Sequence, residues 1–376
     1  MDNNNRLKLS RMKLSGFKSV DTKGQLIGFK DITVLLGANG AGKSNLVSFF
    51  HMLNSMMASA LQTYIGKSGA AETLLYYGPK KTSGITAEIQ FDNVEGNTYQ
   101  FTLAHAAGDT LILTEETISQ EQAMGENQCL ALASGTKESG LPAQSKDSKN
   151  KAVCAVFEVL RNCRVFQFHD TSKEAKIRNS GYVHDNRFLR SDGGNLAAFL
   201  YLLRDTEHNK YYTRIVRYIQ RVMPQFDNFD LRVSPLNQDY IMLNWHEHRS
   251  EHLFGPHQIS DGSLRFMALA TLLLQPPDLL PSVIILDEPE LGLHPSAISV
   301  LAGMVKIASR NCQVLLATQS PRLVDEFEPD NILVVERNRA KRRSEFVALD
   351  EKKLTDWLDR YSMSELWEKN VIGGQP

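Results

Sequence analysis

The segment that most constrains this fold is GANGAGKS, residues 37–44, which fits the pattern G-x-x-x-x-G-K-[S/T]. The apolar run DITVLLG, residues 31–37, precedes it and predicts a strand. Apolar residues then recur at three- and four-residue steps from Leu46 to Leu61, which predicts an amphipathic helix. A strand, a glycine-rich turn and a helix in this order form a phosphate-binding loop (P-loop), so the chain is predicted to be an α/β protein.

The residue types in the P-loop predict how it holds phosphate. Its glycines let backbone N–H groups turn toward phosphate oxygens, and the start of the helix adds positive potential. Lys43 is expected to reach the β- and γ-phosphates of ATP, and Ser44 offers a hydroxyl to Mg²⁺. The predicted nucleotide-binding residues here are Gly37, Ala38, Asn39, Gly40, Ala41, Gly42, Lys43, Ser44 and Asn45.

A second predicted site lies in SVIILDEPE, residues 282–290. The apolar strand brings Asp287 and Glu288 to its carboxyl end, which is the edge where open α/β sheets bind ligands. Asp287 is predicted to hold Mg²⁺ through water, and Glu288 to orient or deprotonate the water that attacks the γ-phosphate. A solvated acidic turn is the alternative, but the buried type of strand and the P-loop in the same chain favour catalytic carboxylates.

A third feature is ISDGSLRFMALATLL, residues 259–273, in which small and acidic residues precede an apolar helix. Ser260 and Gly262 would place a hydroxyl and free N–H groups at the N-terminus of that helix, which makes a second phosphate-binding tip. A single subunit has no evident use for both this tip and the P-loop on one nucleotide.

Together, ISDGS, LLGANGAGKS, IILDEPELGLHP and LLATQSP resemble the motifs of ABC-type ATPases of the SMC and RecF group. LSGFKS, FHDTS, DNRFLRSDGGNLAAFLYLLR and YSMSELWEKNVIGG resemble more closely the small RecF-like predicted ATPases of the AAA_21 type, related to the ATPase half of OLD nucleases. The resemblance covers most of the chain. It implies an ABC-type P-loop ATPase head, with a mixed sheet, helices and an antiparallel β subdomain, plus a helical signature subdomain.

The resemblance also implies how two copies cooperate. In that group the signature tip of one subunit closes over the ATP held by its partner, so Ser260 and Gly262 would act in trans in an ATP-dependent homodimer or a higher oligomer. ELGLHP, residues 290–295, looks like the D-loop that couples the two composite sites. Lys18 and Ser19 of GFKS are implied to touch the nucleotide.

The glutamine that senses Mg²⁺ in this group is harder to place. Gln167, near the FHD turn, is the candidate metal residue, and Gln90 is the alternative.

Besides this glutamine, two residues depart from the pattern of the group. Asp261 stands where the group prefers glycine, and a carboxylate about 6 Å from a phosphate charge would cost roughly 3 kcal/mol at an effective dielectric of 20. Asp261 is therefore expected to point away, with a cap on the helix as one option. Gln319 stands where transporter-type members carry a histidine that senses the γ-phosphate. It can donate a neutral hydrogen bond only, so slow and weakly pH-dependent hydrolysis is expected.

The alternation of elements along the chain predicts its domains. Residues 1–118 form an N-terminal ATPase lobe with the P-loop and an antiparallel β subdomain, opening with an edge strand within residues 6–20. The polar residues 119–151 are predicted to be a flexible insertion. Residues 152–275 form the helical signature subdomain, and residues 276–376 the C-terminal ATPase lobe with the catalytic carboxylates, the D-loop and the strand before Gln319.

Composition narrows the setting. With 42% hydrophobic and 23% charged residues in 376, the chain has an ordinary globular composition, and its net charge of −1 gives no global field for a polyanion. The four cysteines lack CxxC spacing, the first residues lack an apolar signal core, and no stretch approaches the roughly 18 apolar residues of a membrane span. A cytoplasmic location without a membrane anchor is expected.

Two biological readings of an ATPase remain open, with a third that needs no turnover. The first is a DNA-linked enzyme of anti-phage defence or DNA repair, and since the residues after Phe346 are too few for a TOPRIM nuclease domain, a nuclease effector is expected on another chain. The second is the nucleotide-binding subunit of a transporter, against which Gln319 and GFKS argue. The third is an ATP-dependent clamp or sensor that barely hydrolyses ATP.

Two further clusters invite other functions. WHEHRSEHLFGPH, residues 245–257, contains four histidines and suggests zinc, but a strand and turn explain it better. RNRAKRR, residues 337–343, could contact DNA phosphates, although a solvated β-hairpin tip explains it as well.

Overall fold

The computed structural model describes residues 6–92, 97–121, 127–147 and 150–375. Its strands are β1 Lys8–Ser15, β2 Gln25–Gly28, β3 Ile32–Leu36, β4 Gly84–Asp92, β5 Thr98–Ala106, β6 Thr110–Glu121, β7 Asn127–Ala133, β8 Cys163–Phe166, β9 Gly181–Tyr182, β10 Phe226–Asp230, β11 Val233–Ser234, β12 Asn237–Ile241, β13 Asn244–Glu247, β14 Leu253–Phe254, β15 Val283–Asp287, β16 Gln313–Thr318, β17 Ile332–Asn338 and β18 Arg343–Ala348. Its helices are α1 Lys43–Met57, α2 Leu61–Lys67, α3 Ala70–Leu74, α4 Leu141–Asp147, α5 Lys151–Arg161, α6 Leu196–Asp205, α7 Asn209–Val222, α8 Asp261–Leu274, α9 Pro295–Ala308, α10 Pro321–Val324, α11 Glu351–Leu358 and α12 Met363–Glu368. Within these ranges, no helix has both the length and the apolar character needed to cross a bilayer.

The central sheet has the strand order β18-β17-β3-β16-β15-β8, and all neighbours except β17 and β18 run parallel. Strands that are distant in sequence therefore lie side by side. The register aligns Leu36 with Thr318, and Asp287 with Ala317. As a result, the carboxyl ends of β3, β16, β15 and β8 meet along one edge, where parallel sheets bind ligands.

Both faces of the central sheet are buried, which explains its continuous apolar strands. In β15, Ile284 and Leu286 pack into a core shared with the helices of the signature subdomain, while Val283 and Ile285 pack into the core around α1. This alternation follows from side chains that point to opposite faces of a strand.

An antiparallel sheet with the order β2-β1-β4-β5-β6-β7 covers the far side of α1. The Phe49 ring of α1 lies 5.6 Å from the Phe17 ring and 6.3 Å from the Phe101 ring, between centroids. The predicted fold class is confirmed: a mixed α/β head with an antiparallel β subdomain. The predicted edge strand is wrong in its position, because β2 pairs with β1 and takes the edge.

The predicted flexible insertion over residues 119–151 is wrong for most of its length. Strand β7 extends the antiparallel sheet, and α4 follows it. The fully buried Glu116 accepts hydrogen bonds from Tyr99 Oη at 2.6 Å, Ser139 Oγ at 2.5 Å and the Gly140 N–H at 2.7 Å. The Ser139 hydroxyl and the Gly140 N–H are thus satisfied by a buried carboxylate, so polar residues in this part of the segment belong to an ordered structure. Residues 122–126 and 148–149 of the insertion lie outside the described ranges.

The boundary drawn at residue 152 also needs correction. Helix α5 packs on α1, and β8 pairs with β15, so residues 151–166 belong to the ATPase lobe rather than to the signature subdomain. The signature subdomain combines α6, α7 and α8 with two small three-stranded sheets, β10-β13-β14 and β11-β12-β9. Strand β8 was missed in the sequence because its four residues are too few to show a reliable period.

Candidate functional site

The P-loop lies between the end of β3 and the first turn of α1. Gly42 has φ 123°, and a Cβ there would lie 2.3 Å from Ser344 Oγ. A side chain at this position would therefore be strained and would also clash. The geometry requires glycine at the point where the loop passes into the helix.

The Lys43 side chain is folded back on the P-loop and is only 4% exposed. Its Nζ donates to the carbonyl oxygens of Gly37 at 2.5 Å and Ala38 at 3.1 Å. Burial lowers the pKa of Lys43, while the carboxylates of Glu288 and Asp287 act in the opposite direction. An ammonium held in this way lies inside the loop, at the place where phosphate oxygens would replace the carbonyls.

The segment after α12 lies against the P-loop. The Ala38 N–H donates to the Gly374 carbonyl oxygen at 2.9 Å, and Gln375 Nε2 donates to the Trp367 carbonyl oxygen at 3.0 Å. Residues 374–375 therefore support the first turn of the P-loop.

Asp287 and Ser44 together fit a divalent cation. Asp287 Oδ1 is buried and has no hydrogen-bond partner among the described residues, although the Asp287 carboxylate interacts with the exposed Ser44. Burial and the neighbouring Glu288 raise the pKa of Asp287. An unpartnered carboxylate oxygen beside a hydroxyl is a donor set that suits Mg²⁺.

Glu288 has an unusual backbone. Its φ of 44° places a non-glycine residue in the left-handed region, and its N–H donates to the Ala317 carbonyl oxygen at 2.8 Å. This conformation costs free energy and persists only where surrounding structure holds it. With this backbone turn directly after Asp287, the carboxylates of Asp287 and Glu288 lie close enough to interact with each other and with Lys43.

Gln319 follows β16 directly, between the ends of β3 and β15. The preceding Thr318 is fully buried, and its Oγ1 donates to Glu290 Oε1 at 2.5 Å. Burial raises the pKa of Glu290, whose Oε2 is buried and finds no hydrogen-bond partner in the part of the chain that the structure describes. The D-loop and the strand before Gln319 are thus joined by a buried side-chain hydrogen bond.

Gln167 and Gln90 lie in different parts of the fold. Gln167 is exposed just beyond β8, level with Asp287 in the sheet, because Phe166 pairs with Leu286. Gln90 lies within β4, where it donates to Glu88 Oε1 at 2.9 Å. The sheet edge therefore favours Gln167 as the metal-sensing candidate. His169 also lies here, with Nε2 2.8 Å from the Asp287 carbonyl oxygen.

Lys18 and Ser19 lie beside the P-loop. Ser19 Oγ accepts from Asn45 Nδ2 at 2.7 Å and from Ser344 Oγ at 2.8 Å, and Lys18 Nζ donates to Ser48 Oγ at 2.7 Å. Both residues line an open cavity of about 760 Å³. This volume is large enough for the base and ribose of a nucleotide. Its other lining residues include Gly40, Tyr77 and Arg337.

Ser260, rather than Asp261, caps helix α8. Ser260 Oγ accepts from the Ser263 N–H at 3.2 Å, while Asp261 Oδ1 accepts from Arg178 Nη2 at 2.7 Å. The expectation that Asp261 points away from a bound phosphate agrees with this pairing, but its proposed capping role is wrong. The Arg178 guanidinium also lowers the pKa of Asp261.

Arg178 is almost fully buried and ties the signature tip to the segment after Gln167. It donates to the Thr171 carbonyl oxygen at 2.7 Å, to the Ile259 carbonyl oxygen at 3.0 Å and to the Pro256 carbonyl oxygen. One guanidinium thus fixes the turn that leads into the signature tip.

The signature tip also touches the D-loop of its own chain. A Cβ on Gly262 would lie 2.3 Å from the Gly292 carbonyl oxygen, so only glycine fits. Arg265 donates to the carbonyl oxygens of Leu291 at 2.8 Å, Phe168 at 3.0 Å and His169 at 2.7 Å. These contacts couple the position of the signature helix α8 to the D-loop and to the segment after Gln167.

The comparisons with known proteins agree with this geometry. The chain superposes on the SmcHead solved in complex with the C-winged helix domain of ScpA, with a TM-score of 0.55 and 15% identity, covering 93% of this chain and 99% of that one. A second match is the Smc head domain with an extended coiled coil bound to the C-terminal domain of ScpA, derived from Pyrococcus furiosus, with a TM-score of 0.54, 14% identity and coverage of 94% and 99%. The chain has an ABC-type, SMC-like P-loop ATPase fold. The predicted resemblance is confirmed at that level.

A sequence-family match covers part of the chain. Residues 166–325 match the family described as "AAA domain, putative AbiEii toxin, Type IV TA system". The matched range includes Gln167, the signature tip, the paired carboxylates and Gln319, and it excludes the P-loop. No curated protein sequence matches the chain.

Sequence reasoning missed Arg178, Arg265 and His169. Most of their partners lie about 80 to 120 positions away in the chain, for example Arg178 with Ile259 and His169 with Asp287. No local period reveals such contacts. The one available signal was Arg265, a charge near the start of an otherwise apolar helix.

The histidine-rich segment 245–257 and the basic run 337–343 both have structural partners within the fold. His246 Nε2 lies 3.2 Å from Asp230 Oδ2 across the β10–β13 pair, and the described residues contain no group of three or more potential metal ligands. The basic run 337–343 forms the β17–β18 turn, where Arg343 pairs with Asp21 at 3.0 Å.

Proposed function

We propose that this chain binds ATP with Mg²⁺ and hydrolyses it slowly, as a head-to-tail homodimer with two composite sites. The P-loop and Lys43 would hold the phosphates, while Ser44 and Asp287 would hold the metal ion. Mg²⁺ supplies charge neutralisation at the β- and γ-phosphates. Glu288 would accept the proton of the attacking water, and Gln319 would donate a hydrogen bond to the γ-phosphate.

The arrangement of the signature tip supports action in trans. Ser260 is exposed, and in the described part of the chain no hydrogen bond joins residues 260–263 to residues 37–45. The start of α8 therefore presents a hydroxyl and helix N–H groups to the surface. A second copy is the ligand-bearing partner that this tip fits.

We propose further that the ATP state controls a DNA-linked process, in anti-phage defence or DNA repair, through a nuclease on another chain. The matched family description names a putative toxin of a toxin–antitoxin system, which supports a defence role. The solved Smc heads share the fold while bound to a partner protein, which supports a head that acts through partners.

Mixing two inactive variants tests the shared sites. Lys43→Ala removes the P-loop ammonium, and Ser260→Arg blocks the signature tip. Neither variant alone should release phosphate, whereas an equimolar mixture should recover roughly a quarter of the wild-type sites, because each mixed head-to-tail dimer keeps one intact site. Phosphate release from the variants and from the mixture is measured at one total protein concentration. A mixture as inactive as its components would contradict action in trans.

The pH dependence of turnover tests the role of Gln319. An amide does not titrate, so the rate is expected to vary little between about pH 6 and 8. The measurement is phosphate release under saturating ATP across that range, with His169→Gln as the control, since His169 is the imidazole beside Asp287. Wild type and His169→Gln should give similar profiles, and a wild-type rate that follows a histidine-like titration would contradict the proposal.

A further inference from the structure

A basic cleft runs along the outer side of β8, away from the P-loop. The end of α1, helices α4 and α5, and residues 188–192 enclose it together with β8, and its volume is about 850 Å³. We call it the β8 cleft. It lies at the upper end of the size range of ligand pockets.

The charges in the β8 cleft favour an anion. Its cationic lining residues are Lys146, Arg161, Arg164, Lys176 and Arg190, and its carboxylates are Glu158 and Asp192. Lys176 pairs with Asp192 at 3.2 Å, and Arg161 lies 3.9 Å from Glu158. Arg190 pairs with Asp185 at 2.7 Å. Among the residues that the structure describes, three more cations than carboxylates line the cleft, although the whole chain has a net charge of −1.

Arg164 is the centre of this excess charge. No carboxylate lies within ion-pair distance of Arg164 in the described ranges, and Arg161 is close enough to oppose its charge. Burial and that neighbour lower the pKa of Arg164. A half-buried guanidinium without an acidic partner is expensive, which is expected where an external anion completes the site.

The aromatic contact of Arg164 narrows the class of anion. Its guanidinium carbon lies 4.2 Å from the centroid of the Phe188 ring, and Phe188 remains 47% exposed. A large apolar side chain left half in solvent at the mouth of a basic cleft offers a stacking surface. Arginine paired with an exposed aromatic ring is how proteins hold unpaired bases next to their phosphates.

We propose that the β8 cleft binds single-stranded nucleic acid, with backbone phosphates beside Arg164 and Lys176 and a base stacked on Phe188. A duplex keeps its bases stacked on one another and cannot use the ring. A mononucleotide carries its phosphates in one compact group, whereas the cations are spread over α4, α5 and β8. This inference rests on the proposed function in one respect: the bound strand is taken to be the nucleic acid of the proposed DNA-linked process. The binding of a strand to the cleft does not depend on ATP hydrolysis.

The β8 cleft is joined to the nucleotide site through the backbone. The Gln167 N–H donates to the Ser191 carbonyl oxygen at 3.0 Å, and Ser191 lines the cleft. A strand bound beside Ser191 therefore contacts the segment that carries Gln167 and His169. A shift of Ser191 on binding would therefore act directly on the backbone of Gln167.

Fluorescence anisotropy with the full chain, without ATP, tests the cleft. The probe is a labelled oligothymidine of about 15 nucleotides, titrated at two salt concentrations. Arg164→Gln should weaken binding about tenfold and reduce the salt slope by about one. Phe188→Ala should weaken it about tenfold with the slope unchanged, because it removes stacking only. Arg217→Gln, an exposed arginine of α7 outside the cleft, is the matched control and should bind like wild type.

Several outcomes would overturn the proposal. They are tighter binding of a duplex of the same length, equally tight binding of AMP, and equal affinities for the Arg164, Phe188 and Arg217 variants. If Arg164→Gln lowers the thermal midpoint, Lys176→Gln replaces it, since that side chain is 70% exposed. Phosphate release without nucleic acid is measured in parallel. Strand binding without turnover would contradict the proposed function alone, and turnover without strand binding would contradict this inference alone.

Discussion

Glu288→Gln is expected to lower phosphate release at least about 100-fold, because a glutamine cannot accept the proton of the attacking water. ATP binding should persist, since the P-loop, Lys43 and Asp287 are unchanged. ATP-bound dimers should therefore accumulate. Single-turnover phosphate release, nucleotide binding and size measurements with ATP and Mg²⁺ check the three expectations.

The control for this variant is Glu328→Gln, an exposed carboxylate that makes no side-chain cap with its turn. It makes the same chemical change away from the sheet edge and should leave turnover unaltered. Equal phosphate release from wild type and Glu288→Gln would show that Glu288 is not the base. If that shared rate were negligible, the chain would be an ATP-dependent clamp or sensor.

The same trapped form is a bait for the effector. Glu288→Gln is purified from its native cells with ATP and Mg²⁺, and the proteins and nucleic acid that copurify are identified. A nuclease or DNA fragments, absent from the Lys43→Ala control, would support the DNA-linked role. A membrane permease would contradict it and favour a transporter subunit.

Arg178→Met is expected to lower the free energy of unfolding by about 3 kcal/mol or more, because it removes the Arg178 donor from three carbonyl oxygens, of which that of Pro256 keeps the Ile259 N–H. These belong to Thr171, Pro256 and Ile259, in a region where the arginine itself is only 5% exposed. Dimer formation should weaken further, since the turn before the signature tip loses its anchor. Urea denaturation and ATP-dependent sedimentation measure the two effects.

Asp261→Asn separates the ion pair from the carbonyl contacts. Its side chain is 66% exposed, so its loss should reduce stability much less than Arg178→Met. Because Arg178 lowers the pKa of Asp261, the small contribution of this pair is present above the ordinary aspartate pKa and is lost as the pH falls through the lowered value. Equal losses for the two variants would contradict the role given to the carbonyl contacts.

Sequence predicts the parts of this fold whose chemistry is local. The P-loop and the paired carboxylates each need one short pattern after one apolar strand, and the structure places both at a shared sheet edge. Local reasoning failed where distant partners decide the outcome. Glu116 orders the segment that looked disordered, and β2 occupies the edge assigned to β1. The anchoring by Arg178 depends on a turn about 80 positions away, which no local spacing encodes.

The hydrogen bond between Gly374 and Ala38 offers a way to detect movement of the P-loop. The two residues are held by one backbone hydrogen bond, so any rearrangement of the P-loop's first turn must either break it or displace residues 371–375. A solvatochromic dye on a cysteine introduced at Gln375 would convert that event into a change of emission. Loop closure could then be followed in real time without labelling the nucleotide, and exchange of the Ala38 amide proton would report the same opening.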